Sequence, residues 1–73
     1  MNYTDVTSSN IKAIAYDPST LTLGVIFHTG KEYHYIGVTP DMFQDFSNAE
    51  SKGKFLAVSI KPNPYLTVKL QNP

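Results

Sequence analysis

Apolar and polar residues alternate most cleanly at Leu21–Phe27. Leu21, Leu23, Val25 and Phe27 fall on one face, Thr22, Gly24 and Ile26 on the other. That is the two-residue period of a strand with one covered side. Upstream, residues 10–16 carry Ile11, Ala13, Ile14, Ala15 and Tyr16, apolar enough for a first strand. Asp17-Pro18-Ser19-Thr20 separates the two as a turn, in which the Asp side chain caps nearby backbone and Pro fixes φ at the second position. A second hairpin follows at His28-Thr29-Gly30-Lys31. A two-residue Thr29-Gly30 loop would pair Ile26 with Tyr33. A three-residue loop, with Gly30 left-handed in a bulge, pairs Val25 with Tyr33 and Leu23 with Tyr35. One residue of slip turns both tyrosines to the other face. The three-residue loop is preferred because only glycine then takes a positive φ.

Beyond the third strand the period changes. Thr39 suits an N-cap, Pro40 the first helical position and Asp41 the positive end of the dipole. Met42, Phe43, Phe46 and Ala49 form one stripe of a helix lying on the sheet. Ser51-Lys52-Gly53-Lys54 ends it, with Gly53 as the left-handed residue. Phe55–Ile60 fits a short helix or a strand equally well, and Pro62 and Pro64 bar a helix beyond it. Residues 65–70 alternate again, with Leu66, Val68 and Leu70 on one side. The fold class is α+β. An antiparallel β-meander, with strands near 10–16, 21–28 and 31–37, is packed by one helix (40–50), a short connecting element (54–60) and a closing edge strand (65–70). Residues 1–73 form a single domain. Residues 1–8 are polar and expected to fray, with Tyr3 and Val6 available for a short edge strand.

Composition narrows the function classes. A chain of 73 residues supports a core worth only about 3–5 kcal/mol without staples. With no cysteine, neither a disulfide nor a thiolate metal site supplies one. Five Tyr and four Phe point to dense aromatic packing or self-association. Six Lys balance six acidic residues at zero net charge, so nucleic-acid binding requires a local basic patch. Without Arg there is no planar fork to grip phosphates or base edges in two places. No apolar run approaches the ~20 residues needed to span a bilayer, and no signal peptide is visible. A cytoplasmic location is expected.

Candidate chemistry centres on Tyr33-His34-Tyr35, whose two phenols share one sheet face. They read either as core with hydroxyls at the rim, or as a platform on which bases stack at ~1–3 kcal/mol each. Half-buried rings satisfy both readings. His34 belongs to the opposite face, where Glu32 can orient it, and His28 to a solvated turn. Two histidines without a carboxylate at ligand spacing make no zinc site, and no cofactor is expected. Ser51, Lys52, Gly53 and Lys54 form a small turn that can offer free N–H groups to an anion. The commoner arrangement is a solvated helix end with lysines complementing the dipole. Lys61 and Lys69 extend that patch if the tail lies alongside. No nucleophile elbow or paired acid and base is present, so a non-enzyme is expected.

Several short stretches together resemble the KTSC domain, a module at the C-terminus of some lysyl-tRNA synthetases that also stands alone in small bacterial and phage proteins. They are Ser9-Asn10-Ile11 leading to Tyr16-Asp17, Leu23-Gly24-Val25-Ile26-Phe27, Gly30, Tyr33-His34-Tyr35, Gly37-Val38, Ala49-Glu50-Ser51-Lys52-Gly53-Lys54-Phe55, Ile60 and Tyr65. The resemblance covers most of the chain and implies RNA binding. The absence of Arg and the presence of Pro62 and Pro64 depart from the usual pattern. Standing without a synthetase body, the chain looks like the free-standing phage or bacterial form. The expected function is a binding module for RNA or a nucleotide-like anionic ligand, held by Tyr33, Tyr35, Ser51, Lys52, Gly53, Lys54 and Lys61. The alternative is a protein-interaction module that engages or inhibits a host protein. Under either, a homodimer or higher homo-oligomer would bury an exposed strand edge.

Overall fold

The computed structural model describes residues 1–71. Five strands form one sheet: β1 (Thr4–Asp5), β2 (Ile11–Asp17), β3 (Thr22–Phe27), β4 (Glu32–Ile36) and β5 (Thr67–Leu70). Their spatial order follows the chain, β1-β2-β3-β4-β5, and each neighbouring pair is antiparallel. Helix α1 (Pro40–Asn48), the short helix α2 (Lys52–Phe55) and a π-helical turn over Leu56–Ile60 lie between β4 and β5.

The three-residue hairpin loop is present. Val25 pairs with Tyr33 and Leu23 with Tyr35. The Phe27 N–H donates to Lys31 O at 2.9 Å, and Gly30 takes φ 92°. Both tyrosines therefore join Leu23 and Val25 on the helix-covered face. There Ile11, Ile14, Leu23, Val25 and Tyr35 meet Val38, Phe46, Leu56 and Ile60 in one core, none more than 7% exposed. Ile11 and Ile14, an odd number of residues apart, would ordinarily face opposite sides. A bulge between Ile11 and Ala13 shifts the register and turns both into this core.

Thr39 caps α1 as expected, its Oγ1 accepting from the Met42 N–H at 3.2 Å. Phe43 stacks on Tyr16 with centroids 4.4 Å apart and planes at 6°, and the Tyr16 hydroxyl donates to Val38 O at 2.6 Å. The helix stops at Asn48, two residues short of the expected end, because Ala49 is already extended (φ −66°, ψ 139°). Gly53 is not its left-handed terminator. It sits inside α2, while the left-handed glycines are Gly30 and Gly37. The segment that fitted helix or strand is helical: Lys61 N–H reaches Leu56 O at 2.8 Å, a bond spanning five residues. This places Leu56 and Ile60, 1% and 0% exposed, toward the sheet. Pro62 stops the turn.

Three expectations shift at the margins. Leu21 is not a strand residue: it takes φ 55°, an arrangement costing about 1–2 kcal/mol for a side chain with a Cβ. Its carbonyl accepts from both Gly37 N (2.9 Å) and Val38 N (3.0 Å), tying the β2–β3 turn to the start of α1. The closing strand begins at Thr67 rather than residue 65, after Asn63 Oδ1 accepts from the Tyr65 N–H at 2.9 Å. Residues 1–8, expected to fray, include β1, with Thr4 opposite Ile14 and Asp5 opposite Ala13. Tyr3 and Met1 lie over Gly24, where a Cβ would collide with the Tyr3 hydroxyl and come within 2.9 Å of its Cζ. Ala13, Ala15 and Gly24 keep this sheet face shallow enough for the N-terminal segment to cover it.

Candidate functional site

A groove of about 650 Å³ opens on the helix-covered side, where the β3–β4 hairpin, the residues preceding β2 and the α2/π-turn segment converge. The hairpin provides an aromatic wall of Phe27, Tyr33 and Tyr35 and a rim of His28, Thr29 and Lys31. Ser9 and Asn10 close one side; Gly53, Leu56, Ala57 and Lys61 form the other, and Val68 of β5 completes it. The register explains the wall. Phe27, Tyr33 and Tyr35 all project from the same face of the hairpin, with Phe27 edge-on to Tyr33 at 5.7 Å and 83°. The Tyr33 and Tyr35 rings lie 6.4 Å apart, tilted by 30°.

The two tyrosines are placed differently in the fold. Tyr35 is 1% exposed and belongs to the core, whereas Tyr33 is half-buried and presents its ring to the groove. Neither hydroxyl bonds to another described residue. Every fully buried side-chain polar atom among the described residues has a partner. The Tyr35 hydroxyl is therefore not fully buried, and Tyr35 lines the groove. Burial pushes its phenol pKa upward, and the neighbouring Tyr33 phenol adds to the effect.

Charge around the groove is one-sided. Lys31 and Lys61 line it, and none of its lining residues is an Asp or Glu. The nearest carboxylate in sequence, Glu32, alternates to the opposite sheet face and is occupied there. It accepts from the Tyr3 hydroxyl at 2.5 Å and from His34 Nε2–H at 3.1 Å. The Tyr3 hydrogen bond chiefly, helped by His34, holds the Glu32 carboxyl below the ordinary carboxylate range. Tyr3 moves the other way, raised first by burial and then by the adjoining carboxylate. Strand alternation sets His34 opposite the tyrosines, and this cluster engages it there. His28, expected to be solvated, is exposed but anchored: its Nε2–H donates to the Ser8 carbonyl at 2.9 Å, fixing the hairpin tip beside the segment before β2.

Of the residues singled out in the sequence, the structure brings Tyr33, Tyr35, Gly53 and Lys61 together. Ser51, Lys52 and Lys54 lie outside the groove. Ser51 Oγ is engaged as a cap, accepting from the Lys54 N–H at 3.2 Å. The helical twist that brings Gly53 to the groove, beside Asn10, carries Lys52 and Lys54 to either side. Lys69 pairs across strands with His34 and so faces away as well. Sequence reasoning missed Phe27, Lys31 and Asn10. The first two were recoverable, because the preferred loop sets Phe27 opposite Lys31 and both on the tyrosine side. Asn10 was not, because its place depends on the β2 bulge and on how α2 packs.

No helix among the described residues is long and apolar enough to cross a membrane. No group of three or more His, Asp or Glu among them is placed to hold a metal ion. Compared with known proteins, residues 7–65 match the model of the KTSC domain family. A protein from Tsukamurella paurometabola is 42% identical over 57 residues, covering 78% of this chain and 85% of that protein. A lysine–tRNA ligase from Nostoc punctiforme is 40% identical over 53 residues, 73% of this chain but 9% of the ligase. The crystal structure of a KTSC domain protein from Yersinia pestis superimposes with a TM-score of 0.89 at 32% identity, covering 97% of each chain.

Proposed function

We propose that this chain, which belongs to the KTSC domain family, is a non-enzymatic binding module whose groove takes RNA or a nucleotide-like anion. The observation that carries the reading is the combination in one groove of an aromatic wall, two lysines and no carboxylate. A neutral chain otherwise offers polyanions no attraction, so segregated charge is what a phosphate would meet. The volume is in the range of small-ligand sites. Tyr33 supplies a ring face for stacking, and Lys31 and Lys61 supply ammonium groups at the rim. The likeness to a lysine–tRNA ligase segment, an enzyme that by name acts on tRNA, makes RNA the first ligand to try.

The test is a fluorescence-anisotropy titration of labelled short single-stranded RNA at several salt concentrations. Neutralising two phosphates predicts a log–log salt slope of about −1.4, or roughly sevenfold weaker binding between 50 and 200 mM salt. Replacing Tyr33 by Leu keeps apolar volume but removes the stacking face, weakening binding by about 1–3 kcal/mol. No saturable binding at low salt rejects the reading.

A second reading rests on β5. Its outer edge is open among the described residues, and Val68 and Leu70, on the tyrosine face beside that edge, are 45% and 53% exposed. Such an edge suits pairing with a second copy or a host protein. Light scattering across a concentration series tests self-association, and a monomer throughout excludes the homo-oligomer.

A further inference from the structure

We propose that the Tyr35 hydroxyl, with that of Tyr33 beside it, is the groove's selector for a heteroaromatic base edge. The ligand would then be an unpaired nucleobase carrying phosphate, as in single-stranded RNA or a free nucleotide, and not a duplex or a simple phosphate. The inference rests on the binding reading above and deepens it.

Tyr35 occupies a core position, 1% exposed, where a phenylalanine ring would fill the same space. Its hydroxyl forms no bond with any described residue, so the fold gains no internal hydrogen bond from an oxygen that it partly desolvates. Tyr35 lines the groove, and its unbonded oxygen is not among the fully buried atoms. A phenol both donates and accepts. It can therefore meet a base carbonyl, an amine or a ring nitrogen, which fits selection for a base edge without strict choice among bases. The ring geometry agrees: Tyr33 is held edge-on by Phe27 and tilted over Tyr35. A planar ligand lying on the Tyr33 ring then directs its polar edge inward, toward the Tyr35 hydroxyl. Its phosphate faces outward, where Lys31 and Lys61 stand. A base in a duplex has its hydrogen-bonding edge occupied and its faces stacked, and can do neither.

The experiment measures affinities of wild-type, Tyr35→Phe and Lys31→Ala/Lys61→Ala proteins. The probes are a short single-stranded RNA, the same RNA annealed as a duplex, AMP, UMP and ribose 5-phosphate. The single strand is expected to bind, and comparison with AMP and UMP distinguishes a polymer site from a nucleotide site. Tyr35→Phe should weaken the base-bearing probes about three- to tenfold, the worth of one hydrogen bond, while leaving the salt slope unchanged. The double lysine variant should flatten that slope for every probe. Tyr33→Phe, which keeps the stacking ring, serves as a second hydroxyl deletion and should show a smaller loss in the same direction. If Tyr35→Phe binds as wild-type does, or if duplex and ribose 5-phosphate bind as well as the single strand, the selector is overturned while the anion groove stands. If no probe binds wild-type protein at low salt, both readings fall.

Discussion

At Tyr35, the proposed binding and the fold make different demands on a single oxygen atom. The ring is core and the hydroxyl is not bonded within the fold, so Tyr35→Phe should leave thermal stability within about 0.5 kcal/mol of wild type. Thermal melts check this, and a loss beyond about 1 kcal/mol would mean the oxygen has a structural partner. Tyr3 is the opposite case, because its hydroxyl is bonded to Glu32 at 2.5 Å. Glu32 ionises more readily in the folded chain than its usual 4.5. Its contribution is therefore complete above that pH and fades as pH falls through the lowered folded value. The Tyr3 phenol is raised above its usual 10.0, so its contribution is complete below pH 10 and fades as pH rises beyond. Tyr3→Phe should cost about 1 kcal/mol near neutrality, the value of a charge-assisted bond discounted for partial exposure. The variant's melting temperature should also vary less with pH at both extremes. Parallel curves for the two proteins would contradict the assignment. Which face the tyrosines occupy was legible in the sequence from the loop length and Gly30 alone. What their hydroxyls touch was not, since that depends on chain segments remote in sequence.

Elements announced themselves where local chemistry was strong. Thr39-Pro40-Asp41 marked the start of α1, and Thr39 does cap it. Thr39→Ala should cost about 1 kcal/mol in urea denaturation, with little effect on ligand affinity because α1 does not line the groove. An unchanged midpoint would show the cap to be redundant. Elements were obscure where tertiary contacts decide. The bulge that turns Ile11 and Ile14 to one side has no glycine or proline to announce it. The π-turn exists because Leu56 and Ile60 must both face the sheet before Pro62 ends the helix, and periodicity alone left that stretch open. The N-terminal segment looked too polar to dock. It docks because Ala13, Ala15 and Gly24, all small, leave a shallow face for Tyr3 and Met1.

For the whole molecule, the proposed binding rests on how charge and aromatic surface are separated across the sheet. The helix-covered side carries the groove with its two lysines, while Glu32, His34 and Lys69 face the other way. Because the net charge is zero, a total-charge argument has no purchase, and the basic cluster forms only when Lys31 and Lys61 converge. The sequence named Lys61 but paired it with Lys52 and Lys54, which the helical twist directs elsewhere. Lys31→Ala with Lys61→Ala should reduce the salt slope for single-stranded RNA from about −1.4 toward zero, whereas Lys52→Ala with Lys54→Ala should leave it near wild type. The reverse ranking would move the anion site to the turn before α2.

The most direct measurement is a ¹H–¹⁵N NMR titration of the protein with short single-stranded RNA at low salt. Saturable shifts at Lys31, Tyr33, Tyr35, Ala57 and Lys61, with His34 and Lys69 unmoved, are the predicted result. Shifts centred on His34 and Lys69, or no saturable shift at all, would contradict the account.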